Sequence, residues 1–332
     1  MAVIKLISPI DGSVYAERET HSVDEIETLI SNARDLQKDW AERPIEERAS
    51  LVMRAIDALE DMNDDVVTEI AHMMGRPVRY GGEIGGVRER AAYMAEIAEN
   101  ALQPTEIENS DDFIRCIKRE PIGVVLVIAP WNYPYLTAIN TIAPALIAGN
   151  AVVLKHASQT LLAGERLAMA FAAAGLPKGL FVNVCMSHND TATMIASKSF
   201  DFINFTGSVG AGKSIEHAAA GTFTPIGLEL GGKDPGYVRA DANLDSAVET
   251  LIDGAMFNSG QCCCGIERIY VHESLFDAFV EKAVTIVQGY RLGDPLDHET
   301  TLGPMAHNRF ADEVRAQIAE AVALGATPLI DS

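Results

Sequence analysis

The sequence predicts an α/β fold with a parallel sheet covered on both faces. Two observations carry that expectation. From residue 112 onward, short strand-like runs alternate with helical ones. The runs at 123–129, 151–155 and 180–185 are also apolar at nearly every position, as strands buried on both faces must be.

Composition sets the outer bounds. At 332 residues the chain is long enough for two domains and a sizeable core. Hydrophobic residues make up 48% and charged residues 22%, ordinary for a soluble globular protein. A net charge of −21 argues against non-specific binding to nucleic acid or an anionic membrane, both of which need basic surface. No apolar run reaches membrane-spanning length, and Met1–Pro9 is poorly flanked for a signal peptide. Five mostly clustered cysteines and no leader point to a reducing cytoplasm.

Residues 1–20 read as an extended entry with a turn at Pro9–Ser13. Ser22-Val-Asp-Glu25 is a capping box, so a helix is expected from there, with Ile26, Leu29, Ile30, Ala33, Leu36 and Trp40 as its apolar stripe. Pro44 breaks it, and further helices are expected at 45–62, 64–74 and 83–102. Strands follow at 112–119, 123–129, 151–155, 180–185 and 201–206, with helices at 136–148, 160–174, 191–197 and 209–220. A second set comprises a helix at 244–257, a strand at 267–272 and helices at 274–289 and 307–324; Leu329–Ser332 stands where another strand is due. Parallel sheets bind ligands at the carboxyl ends of their strands. Pro130-Trp131-Asn132, Lys155 and Gly207-Ser208 are therefore candidates by position.

The stretch richest in chemistry is Phe257-Asn-Ser-Gly-Gln-Cys-Cys-Cys-Gly265, which places three adjacent thiols on a Gly-Gln turn. The spaced Cys/His pairs of a zinc site are missing, so no metal is expected, and neighbouring cysteines are too close for a relaxed disulfide. Taken alone the three read as small buried hydrophobes; a nucleophile among them is the sharper alternative. A second motif points elsewhere. Gly207-Ser-Val-Gly-Ala-Gly-Lys-Ser214 fits the phosphate-loop pattern of nucleotide hydrolases and follows a strand. Against it, four strand-like runs precede it, and the next strand offers only Ile226-Gly-Leu-Glu229 where an apolar run ending in Asp is wanted.

Five motifs occur in one order: Pro130-Trp131-Asn132-Tyr133-Pro134, Lys155, Phe205-Thr206-Gly207-Ser208 with Gly212, Leu228-Glu229-Leu230-Gly231-Gly232-Lys233, and Gly260-Gln261-Cys262-Cys263. Together they resemble the aldehyde dehydrogenase superfamily. The resemblance implies a Rossmann-like cofactor domain over residues 1–230, with part of an oligomerisation arm near 105–120, and an incomplete α/β catalytic domain over 231–332. It implies oxidation of an aldehyde to a carboxylic acid with NAD or NADP as cofactor.

By the same resemblance Cys263 is the nucleophile, Asn132 an oxyanion donor and Glu229 the general base. Without that context Asn132 reads as a turn residue and Glu229 as a paired strand-end carboxylate. Lys155 corresponds to the residue at the adenosine ribose, Ser208 to a pyrophosphate contact, Gly207 and Gly212 to positions of close backbone approach, and Trp131 and Leu230 to walls of the nicotinamide pocket. Ser158 stands where many NAD-preferring members carry Glu, so nothing there repels a 2′-phosphate and NADP is admitted. Thr141 replaces a Lys common in relatives, which removes any relay through that position. A Glu-x-Phe-Gly-Pro segment and the C-terminal pairing strand have no counterpart, so a chain truncated at its C-terminus is expected, with a non-catalytic fragment as the alternative to an active enzyme. Full-length members form homodimers or homotetramers. The aldehyde itself is left open among semialdehydes, aliphatic and aromatic compounds.

Overall fold

The structure, a computed structural model, describes residues 2–110 and 112–330. It divides into two compact units. The first comprises residues up to Leu6, Ala16–Val66 and Gly82–Leu230; the second comprises Ile7–Tyr15, Val67–Gly81 and the chain from Gly231 onward.

The entry segment is a pair of strands, β1 (Val3–Ile7) and β2 (Val14–Glu19), joined by a turn in which the Ser8 amide donates to the Ser13 carbonyl. Helix α1 (Val23–Ala41) starts at the predicted capping box: the Ser22 hydroxyl accepts from the Glu25 amide and the Glu25 carboxylate accepts from the Ser22 amide. Its buried face is Ile26, Ile30, Ala33 and Trp40. The Trp40 indole N–H, fully buried, donates to the Leu146 carbonyl at 2.8 Å, as a buried indole must find an acceptor. Helices α2 (Ile45–Glu60), α3 (Asn63–Met74) and α4 (Ile84–Leu102) follow.

Where a single strand was expected at 112–119, an antiparallel hairpin stands, β3 (Thr105–Asn109) with β4 (Ile114–Ile117). The alternating acids of Thr105-Glu-Ile-Glu-Asn hide a strand from an apolar count, and its residues are almost all exposed.

The core of the first unit is a five-stranded parallel sheet. Its strands are β5 (Val124–Ala129), β6 (Ala151–His156), β7 (Phe181–Asn183), β8 (Phe202–Gly207) and β9 (Ile226–Leu230), in the order β7-β6-β5-β8-β9. Every residue of β5 and β6 is buried. Helices α5 (Leu136–Ile147), α6 (Leu161–Ala173), α7 (His188–Ala196) and α8 (Val209–Ala219) alternate with the strands. The chain winds outward from β5 to β7, then returns past β5 to place β8 and β9 on the other side. That reversal makes a topological switch point between β5 and β8, and in open parallel sheets such points open a crevice at the carboxyl ends of the strands.

In the second unit, β10 (Asp234–Val238) and β11 (Ile266–Val271) pair in parallel. Helix α9 (Leu244–Met256) connects them, and α10 (Phe276–Gln288) and α11 (Asn308–Ala323) follow. Strand β10 went unread because Asp234-Pro-Gly looks like a turn; its register shifts at Asp234/Pro235, as a proline in a strand requires. The core here is Val238, Val248, Ile252 and Phe279, with Leu251, Ile269 and Ile286 packed against it. Among the described residues, no helix is long and apolar enough to cross a membrane.

Candidate functional site

Nine of the ten predicted site residues lie in the first unit, eight of them on the strands' carboxyl ends or the turns just beyond and Gly212 within α8. Trp131 and Asn132 occupy the turn between β5 and α5 and are half-buried. Lys155 is the penultimate residue of β6, in register with Ile128 of β5, and Ser158 opens the short turn after that strand. Gly207 ends β8, Ser208 caps α8, and Gly212 lies one turn in. Glu229 and Leu230 close β9, in register with Thr206 and Gly207.

The turn that carries Asn132 is held from two sides by buried polar groups that the sequence did not flag. The Glu83 carboxylate, 7% exposed, accepts from the amides of Tyr135 at 2.9 Å and Leu136 at 2.7 Å, satisfying donors at the start of α5 that the helix itself cannot. His156 Nε2 lies 2.9 Å from the Pro134 carbonyl oxygen, and its Nδ1 lies 3.1 Å from the Thr160 hydroxyl. The ring therefore donates to Pro134 from Nε2 and accepts from Thr160 at Nδ1. Burial pushes the His156 pKa down to about 4, so the imidazole is neutral at physiological pH. Within the turn, the Asn132 side-chain oxygen accepts from the Tyr133 amide at 3.1 Å. Neither Glu83 nor His156 had a local signature: each acts on backbone more than 20 residues away in sequence.

Lys155 is 4% exposed, and burial lowers its pKa. Its charge in turn lowers the pKa of His188. Cys185, close to it, is pushed up by burial. A buried ammonium at the end of a central strand suits a ligand that brings acceptor oxygens to it. Gly212 has a packing role as well: a Cβ there would sit 2.7 Å from Leu230 Cδ2, so the missing side chain lets α8 lie against β9. A Cβ at Gly207 would sit 2.6 Å from the Phe205 ring.

The phosphate-loop reading of 207–214 is overturned here. Such a loop needs a run of non-helical backbone whose amides are free to wrap a phosphate. Instead α8 begins at Val209, directly after Ser208. The Ser208 hydroxyl accepts from the Ala211 amide at 3.3 Å, and the Gly212 amide donates to the Ser208 carbonyl at 2.9 Å. Lys213 and Ser214 lie on the exposed face of a regular helix, and Ser214 Oγ donates to the Gly210 carbonyl.

Cys263 belongs to the second unit. Its turn is set by a buried polar lattice rather than by a strand. Asn258 and Ser259 both take positive φ, 56° in each case, an uncommon conformation for residues with a Cβ. Arg76 Nε donates to Asn258 Oδ1 at 3.0 Å, and Asn258 Nδ2 donates to the Gln261 carbonyl at 3.2 Å. Gln261 Nε2 returns a bond to the Asn258 carbonyl at 3.1 Å, while its Oε1 accepts from the Ala306 amide at 2.9 Å. All three side chains are buried, so each amide group is matched and the strained backbone is over-determined. Beyond them the Cys263 carbonyl accepts from the Gly232 amide at 3.0 Å, and Cys263 itself is exposed. Glu229 is exposed too, rather than partly buried as its expected role would favour.

The sequence pattern of the aldehyde dehydrogenase family matches residues 2–332. The chain belongs to that family. Among its relatives, a Deinococcus radiodurans protein named succinate-semialdehyde dehydrogenase [NADP(+)] is 33% identical over 307 residues, 91% of this chain and 64% of that relative. The chain thus spans a little under two thirds of that relative's length. An Escherichia coli K12 protein named succinate semialdehyde dehydrogenase [NAD(P)+] is 31% identical over 327 residues, 98% of this chain and 70% of the relative. The crystal structure of an E. coli NADP dependent enzyme superposes with a TM-score of 0.94 at 29% identity, covering 99% of this chain and 69% of that one. A solved aldehyde dehydrogenase from Brucella melitensis biovar abortus 2308 superposes with a TM-score of 0.93 at 29% identity, covering 99% of this chain and 68% of that one, so the chain has the aldehyde dehydrogenase fold.

Proposed function

We propose that this aldehyde dehydrogenase family chain oxidises an aldehyde to its carboxylic acid with NAD or NADP. The observation that carries the reading is the switch point: Asn132, Lys155, Ser208 and Glu229 stand on the carboxyl ends of β5, β6, β8 and β9 that flank it. These residues fit a dinucleotide. Lys155 offers a buried cation for a ribose hydroxyl or a 2′-phosphate, Ser208 and the start of α8 offer donors to the pyrophosphate, and Trp131 and Leu230 offer apolar walls for the nicotinamide. A bound NAD(P)+ supplies the hydride acceptor.

In this reading Cys263 Sγ attacks the carbonyl carbon as a thiolate, which an ordinary thiol reaches only in small fraction at neutral pH. The carbonyl oxygen becomes an oxyanion, and the Asn132 amide and the Cys263 backbone N–H donate to it. The Glu83 and His156 contacts hold the backbone of that turn at Pro134, Tyr135 and Leu136, which limits reorganisation when charge develops. After oxidation Cys263 holds the acyl group as a thioester. Glu229 takes a proton from water, the water adds to the thioester carbon, and the acid leaves as Cys263 is restored. The balance is one aldehyde, one oxidised cofactor and one water giving one acid, one reduced cofactor and a proton.

Ser158, with no carboxylate at its position, supports use of NADP, and the names of the D. radiodurans and E. coli relatives support it independently. Those names also make a short aldehyde bearing a carboxylate the first substrate to try. The exposed apolar residues of the β3–β4 hairpin, Ile107, Phe113, Ile114 and Ile117, support self-association through that hairpin. The deciding experiment is absorbance at 340 nm with NAD or NADP and a panel of succinate semialdehyde, propanal and benzaldehyde. Reduced cofactor formed by the wild-type chain and not by Cys263→Ala supports the reading. A folded chain that forms none with any member of the panel overturns it for these residues.

A further inference from the structure

The two thiols beside Cys263 have no part in the chemistry above, yet the fold gathers all three. The sulfur atoms of Cys262, Cys263 and Cys264 lie within 4.8 Å of one another, and Cys262 Sγ is 3.3 Å from Cys264 Sγ. The cause is local. The Gly265 amide donates to the Cys262 carbonyl at 3.3 Å, closing a four-residue turn with glycine at its last position. That turn brings the first and third side chains to one side. It is anchored on its preceding side by the buried Gln261, whose amide group bonds Asn258 and Ala306, while the thiols beyond it stand on an exposed turn that can adjust.

We propose that Cys262, Cys263 and Cys264 form a binding site for a three-coordinate thiophilic ion, with trivalent arsenic as the type ligand. A pyramidal centre with about 2.3 Å bonds and angles near about 95° needs sulfurs about 3.4 Å apart, which the Cys262–Cys264 pair at 3.3 Å already meets. Small movements of an exposed turn close the remainder. The donor set also selects the ion. Among the described residues the cluster comprises these three thiols and no fourth His, Cys, Asp or Glu, whereas a structural zinc site wants four protein donors. Three thiolates on a trivalent centre make a neutral complex; on zinc they would add a negative charge to a chain already at −21.

The exchange of bonds also balances. Arsenite, As(OH)3, needs no preformed thiolates. Its three hydroxides leave as water with the three thiol protons: three As–O and three S–H bonds break, three As–S bonds form, and no atom is oxidised or reduced. A divalent cation would have to expel those protons into solvent. Binding would cap the sulfur of Cys263, yet it is read without turnover and stands whether or not the proposed oxidation does.

The test is equilibrium binding of arsenite to the reduced chain, with arsenic per chain counted by mass spectrometry after gel filtration. Sulfur-to-arsenic charge-transfer absorbance gives a second readout, and circular dichroism checks folding. We expect one arsenic per chain. Cys262→Ser, Cys263→Ser and Cys264→Ser should each weaken binding about tenfold or more, since even loss of outer support to a metal ligand costs that much. A Cys116→Ser/Cys185→Ser double variant should bind as wild type does. Affinity unchanged in any one of the three single variants overturns the three-donor site, as does loss of binding in the double variant. Zinc held as tightly through the same three thiols overturns the choice of ion.

Discussion

The two units use the same alternation of strand and helix and reach different states of burial. In the first, β5 and β6 are buried at every residue, and helices alternate with all five strands. In the second, the sheet has two strands, the buried core is four residues, and α11 buries none of its residues while Val314, Ile318 and Val322 stand 40–48% exposed along one stripe. The first unit positions its candidate residues by a rigid sheet. The second positions Cys263 by matched side-chain amides around a strained turn. Apolar packing tolerates small volume changes by degrees, whereas a buried polar lattice fails when one partner is lost.

The sharpest kinetic division between the units falls on Cys263 and Asn132. Cys263→Ala should lower aldehyde-dependent formation of reduced cofactor by about 10³-fold or more, as loss of a nucleophile does. Asn132→Ala should lower kcat by about 10²–10³-fold, with a smaller change in KM, because the amide matters most once the oxyanion exists. Equal effects on kcat and KM for Asn132→Ala would show that the turn only binds substrate.

Stability should divide the units in the same direction. Leu126→Ala, at a fully buried position of β5, should cost about 2–5 kcal/mol in denaturant unfolding. Ile318→Ala, on the exposed stripe of α11, should stay within about 0.5 kcal/mol. A comparable loss from Ile318→Ala would erase the contrast, and would mean that this stripe is covered in solution.

A pH scan isolates His156. Its folded pKa of about 4 lies below the ordinary value of 6.5, so between those values the unfolded chain binds the extra proton. The stability it contributes is whole above pH 6.5 and is lost as pH falls toward 4, by at most about 3 kcal/mol. His156→Gln should flatten that part of the profile while the acid limb due to carboxylates remains. The smallest expected effect is cofactor choice: Ser158→Glu should raise KM for NADP more than KM for NAD, measured side by side on one aldehyde. An unchanged ratio would remove Ser158 from the site.

Strands β5 and β6 were legible because burial on both faces demands runs of apolar residues, and a run is visible without knowing its partners. The first helix was legible for a similar reason: the Ser22–Glu25 box satisfies its own backbone locally. Strands β3 and β10 were not, since alternating acids and an Asp-Pro-Gly opening look like surface and turn. The glycine motif at 207–214 read two ways, and only the immediate start of α8, which leaves no non-helical loop to wrap a triphosphate, decided between them.

By itself, then, the sequence determined the fold class, the order of the motifs and the family, because each rests on neighbours within a few residues or on spacing along the chain. Tertiary structure alone decided the strand order with its switch point, the hold of Glu83 and His156 on the Asn132 turn, the Arg76–Asn258–Gln261 lattice and the gathering of three sulfurs. These depend on hydrogen bonds and registers between residues far apart in sequence. A single chain of letters carries no periodicity for such pairings; they exist only once the backbone has been folded to bring them within about 3 Å.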